Sequence, residues 1–63
     1  MDAKTLNEYA FNLSMSIFDN ERKLTPAKYT RELIQMYAEM LLGPELTNDE
    51  VQQVVELTLE NGF

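Results

Sequence analysis

The sequence predicts an all-α fold: a small three-helix bundle with helices at about 6–18, 26–42 and 48–60. Three observations carry this expectation. Apolar residues recur at helical spacing in three segments. Each segment opens on a residue that caps helices well. Gly43-Pro44 and Asn61-Gly62 supply stops, and a polar run from Asp19 to Lys23 separates the first two segments. Sixty-three residues make one domain, 1–63.

The first helix has two candidate caps. Thr5 with Glu8 three residues on has the capping-box spacing, and Asp2 is the alternative. At 100° per residue Leu6, Tyr9, Ala10, Leu13 and Ile17 form one apolar stripe. Phe11, Met15 and Phe18 form a second stripe, roughly 140° round the helix.

For the second helix, Thr25 is the expected N-cap and Pro26 the first helical residue, where a missing N–H is harmless. Leu24 and Tyr29 then stand at the positions of a hydrophobic staple. Tyr29, Leu33, Ile34, Met36, Tyr37, Met40 and Leu41 cover a wide apolar arc, which makes this helix the expected centre of the bundle. Gly43 is expected to end it in a left-handed turn, with Pro44 preventing continuation.

Helix three opens on Thr47-Asn48-Asp49-Glu50, a second capping box, with Leu46 and Val51 as a staple. Val51, Val54, Val55, Thr58 and Leu59 are its inward face.

Charge is split along the chain. Residues 1–31 hold five basic and four acidic side chains, a net of +1. Residues 32–63 hold seven acids and no Lys or Arg, a net of −7. The formal total is −6. Arg22, Lys23, Lys28 and Arg31 crowd the expected start of helix two, where free N–H groups also favour anions, so they are the candidate anion contacts. The bland explanation is local pairing, with Lys28 reaching Glu32 and with Asp19 or Glu21 beside Arg22 and Lys23.

These features exclude more functions than they suggest. The chain has no His and no Cys, hence no disulfide, no thiolate zinc site and no Ser/His or Cys/His catalytic pair. Paired carboxylates need a cleft that shifts one pKa, which a bundle of this size rarely builds. The expectation is a protein that is not an enzyme and has no cofactor, no metal and no catalytic residue. An EF-hand start at Asp19 fails because its fifth, sixth and twelfth positions are Lys23, Leu24 and Thr30. Helices two and three outline a helix-turn-helix, but Asp49, Glu50 and Glu56 on the would-be recognition helix repel DNA. No run approaches the ~20 apolar residues of a membrane span. Met1-Asp2-Ala3-Lys4 lacks the pattern of a signal peptide. Absence of Cys fits a reducing cytoplasm, the expected localisation.

What remains is interaction. A domain this small buries only about 60% of its unfolded surface and commonly gains stability from a partner. The second stripe on helix one exceeds what a three-helix bundle needs. Either helix three or Phe63 covers it, or it is a contact surface. The candidate partner-binding residues are Phe11, Met15, Phe18, Ile34, Tyr37 and Leu41. The expected function is a small acidic protein–protein interaction or regulatory module that self-associates as a homodimer or binds a larger protein. The alternative is a nucleic-acid-associated regulator, acting through residues 22–31 or by acidic mimicry of nucleic acid. Direct nucleic-acid binding and membrane binding are not expected. Size, acidity and the lack of catalytic residues fit small accessory proteins of bacteria and phages.

Overall fold

A computed structural model describes residues 1–22 and 24–61 of the chain. It contains three α-helices in the order expected: α1 (Ala3–Asn20), α2 (Arg31–Leu42) and α3 (Asn48–Asn61). They pack against one another in all three pairings.

Helix α1 starts earlier than the Thr5 box would place it. Asp2 is the cap, and its Oδ1 accepts the Thr5 backbone N–H at 2.8 Å. The Leu6 N–H bonds the Asp2 carbonyl at 3.0 Å, which adds a turn ahead of Thr5. At the other end the helix continues past Phe18. Asn20 bonds back to the Ser16 carbonyl, and the Glu21 N–H closes the last turn on the Ile17 carbonyl at 2.7 Å.

The start of α2 corrects the sequence expectation. Thr25 and Pro26 do open a helical turn, with the Lys28 N–H bonded to the Thr25 carbonyl, but only a single 3₁₀ turn forms, Pro26–Lys28. The backbone then becomes extended at Thr30 (φ −87°, ψ 159°). Thr30 is the true cap: its Oγ1 accepts from the Leu33 N–H at 3.1 Å. The break turns Tyr29 into the core, which a helix continuous from Pro26 would not do in this register. Leu24 and Tyr29 therefore both meet the core from the connection between α1 and α2.

Gly43 also departs from expectation. Its backbone is right-handed (φ −51°, ψ −41°), not left-handed. Close approach accounts for the glycine instead, since a Cβ built there would overlap the Glu39 carbonyl oxygen. The chain makes one more helical turn through Leu46, whose N–H bonds the Leu42 carbonyl at 2.8 Å.

Helix α3 begins as expected. The Thr47 N–H donates to Glu50 Oε1 at 3.0 Å, and the Glu50 N–H donates to Thr47 Oγ1 at 3.2 Å. That reciprocal box satisfies two donors that the helix itself leaves open. Val51 is buried and Leu46 packs against the core, as the staple requires.

The core consists of Leu6, Ala10, Leu13 and Ile17 from α1, Tyr29, then Ile34, Tyr37, Ala38 and Leu42 from α2, and Val51, Val54 and Val55 from α3. Ser14 and Thr58 are buried with them. The most extensive contact is α1 with α3, so α2 is not the centre of the bundle. The cause is length: losing residues 26–30 leaves α2 with 12 residues against 18 in α1 and 14 in α3.

Candidate interaction surfaces

Two side-chain ties link the helices, and a third bond lies within α2. Tyr37 in α2 donates its hydroxyl to Glu21 Oε2 at the end of α1, over 2.9 Å. This bond, together with burial, raises the Tyr37 pKa above the ordinary tyrosine value. Arg31 at the start of α2 pairs with Glu56 on α3. On α2 itself, Gln35 Nε2 donates to Glu39 Oε1 at 3.0 Å. Tyr29 differs from Tyr37. Its hydroxyl is buried and has no hydrogen-bond partner among the described residues. Burial and the nearby Glu21 carboxylate push its pKa up.

The six candidate partner-binding residues divide. Phe11, Met15 and Phe18 are 51%, 46% and 49% exposed along one face of α1, and Leu41 is 42% exposed. Ile34 and Tyr37 are 1% and 6% exposed, and belong to the core. They are buried with core residues of α1 and α3, so the wide apolar arc is not one open surface. Sequence reading did not separate the wet part of that arc from the dry part. Met36 and Met40, at 56% and 61%, are exposed members of it together with Leu41. Phe63, considered as a cover for the α1 stripe, lies outside the described residues.

Among the described residues, two of the candidate anion contacts are already engaged. Arg31 is taken by Glu56. Arg22 folds back, with Nε donating to the Asp19 backbone carbonyl at 3.4 Å. Lys28 is exposed on the short 3₁₀ turn, and Lys23 lies outside the described residues. The expected Lys28–Glu32 pairing assumed one continuous helix, and the break at Thr30 removes that spacing.

Two acidic side chains of α2, Glu32 and Glu39, border a groove that reaches α3 at Gln52. Arg31, Glu32, Gln35, Met36, Glu39 and Gln52 line an open groove between α2 and α3, with Glu56 beside Arg31 at one end. Among the described residues no three carboxylates gather into a metal-holding group. No described helix is long and apolar enough to cross a membrane.

Compared with protein-family models, curated proteins and solved structures, the chain matches none. Function is therefore argued from these surfaces alone.

Proposed function

We propose that the protein is a non-catalytic interaction module that self-associates through the outer face of α1. One observation carries this reading: Phe11, Met15 and Phe18 stay about half exposed on a helix whose opposite stripe already fills the core. Large apolar side chains gathered on a surface commonly mark a protein contact, and methionine adapts its shape to what it meets. The absence of His and Cys supports a role without catalysis. A reducing cytoplasm is the compartment we infer for a chain without cysteine. Light scattering tests the reading. The wild-type mass should rise toward that of a dimer with concentration, and Phe11→Glu should hold it at the monomer. A monomeric wild type at every concentration would overturn it.

A second reading is supported by the α2–α3 groove. Glu32 and Glu39 border it without a basic residue between them, while Arg31 is already paired. Such a surface suits a basic partner, including a nucleic-acid-binding protein whose ligand it would imitate. Partners recovered from the native host at low salt and lost at high salt support this reading. Recovered nucleic acid would favour the basic segment 22–31 instead.

A further inference from the structure

The outer face of α1 is arranged symmetrically about Met15. Glu8 lies seven residues before it and Arg22 seven after. Phe11 lies four before and Phe18 three after. The steps from 8 to 18 run three, four and three, which keeps Glu8, Phe11, Met15 and Phe18 within an arc of about 80° on α1, while Arg22 follows beyond the cap residue Glu21. Lys4, Glu8 and Phe11 line one shallow depression on this face. At the other end Arg22 lies just past the last turn, and its bond to the Asp19 carbonyl keeps it beside the end of α1.

Charge makes this face unlike the rest of the molecule. Lys4, Glu8, Asp19 and Arg22 balance to zero, in a chain of net −6. Two copies repel each other at long range, and this is a face on which they can approach without adding to the repulsion.

We propose that the α1 face binds the same face of a second copy, with the two helices antiparallel and a two-fold axis passing beside Met15. The proposal rests on the self-association reading above. Met15 then meets the partner's Met15, Phe11 meets the partner's Phe18, and Glu8 meets the partner's Arg22. A parallel pairing would set Glu8 on Glu8 and Arg22 on Arg22, and like charges face to face select against it. An antiparallel pairing shifted by one turn, with Phe11 on Met15, would bring Lys4 against Arg22 and is disfavoured for the same reason. A standard interface takes about 800 Å² from each partner. That is a large share of this chain's 4270 Å² surface. One helix face offers less, so the dimer is weak and concentration-dependent.

Two measurements test the arrangement. The chain has no cysteine, so Met15→Cys introduces its sole thiol. A residue on the two-fold axis faces its own copy, and Met15→Cys should form a disulfide-linked dimer under mild oxidation. Met40→Cys, an exposed thiol on α2, should not. In sedimentation equilibrium Glu8→Arg and Arg22→Glu should each weaken the dimer about tenfold, because each change turns two attractive pairs into repulsive ones. The double variant should restore wild-type association. Cross-linking through Met40→Cys in place of Met15→Cys, or a double variant no better than the singles, overturns the arrangement and leaves self-association standing. A wild type that stays monomeric overturns both.

Discussion

The Tyr37 hydroxyl donates to Glu21 Oε2 at 2.9 Å and ties the middle of α2 to the end of α1. Glu21 is engaged three ways. Its N–H closes α1 on Ile17, its carbonyl accepts the Leu24 N–H at 2.9 Å, and its carboxylate accepts from Tyr37. One residue thus ends a helix, shapes the connection and fixes the next helix against the first. Tyr37→Phe should lower the melting temperature at neutral pH. The Tyr37 pKa is raised in the folded state, first by this hydrogen bond. Its contribution to stability is therefore complete below the ordinary tyrosine pKa and is lost as pH rises through the higher folded value. Melting curves taken toward alkaline pH should fall more steeply for the wild type than for Tyr37→Phe. Parallel curves would show that the bond contributes nothing.

Tyr29 should behave in the opposite way. Its buried hydroxyl has no partner among the described residues, so it gives up water without replacement. Tyr29→Phe is expected to be neutral or to stabilise by up to about 1 kcal/mol, read from denaturant unfolding. A clear loss of stability would mean that the hydroxyl is bonded in solution.

The two threonines ahead of α2 give a third test. Thr30 caps the helix and Thr25 opens only the 3₁₀ turn. Thr30→Ala should cost about 1 kcal/mol, and Thr25→Ala should cost clearly less. The reverse order would restore the longer helix that the Thr25-Pro26 pair suggests.

Those threonines also show how far the sequence could be read. Both are cap-type residues, and Pro26 made Thr25 the stronger signal on local grounds alone. The choice of Thr30 depends on burying Tyr29, a tertiary gain that no local pattern records. Asp2 and Thr5 pose the same problem at α1: both caps are locally valid, and the earlier one wins because it adds a turn. The Thr47–Glu50 box was legible because its two bonds lie within four residues. For the interaction surfaces, Phe11, Met15 and Phe18 stood out because they fall off the buried stripe of their own helix. Ile34 and Tyr37 sit in an arc apolar nearly throughout, and only the positions of α1 and α3 decide which part of it is covered. The Arg31–Glu56 pair, 25 residues apart, had no signal in spacing.

Acid should loosen both helix starts that use a carboxylate. The Thr5 N–H holds the Asp2 pKa below the ordinary carboxylate value, and the Thr47 N–H does the same for Glu50. A depressed pKa means the contribution is present above the unfolded value and is lost as pH falls through the folded one. Glu50→Gln should therefore flatten the acid limb of a stability-against-pH curve. An acid limb unchanged in Glu50→Gln would show that the capping box carries no pH-dependent stability.

Self-association would use the exposed stripe of α1. Sedimentation equilibrium of the wild type beside Phe11→Glu, over a wide concentration range, is its most direct test. We predict a wild type that shifts from monomer toward dimer as concentration rises, and a variant that is folded by circular dichroism and monomeric throughout. A wild type that remains monomeric at the highest concentration, or a Phe11→Glu variant that dimerises equally well, would contradict it.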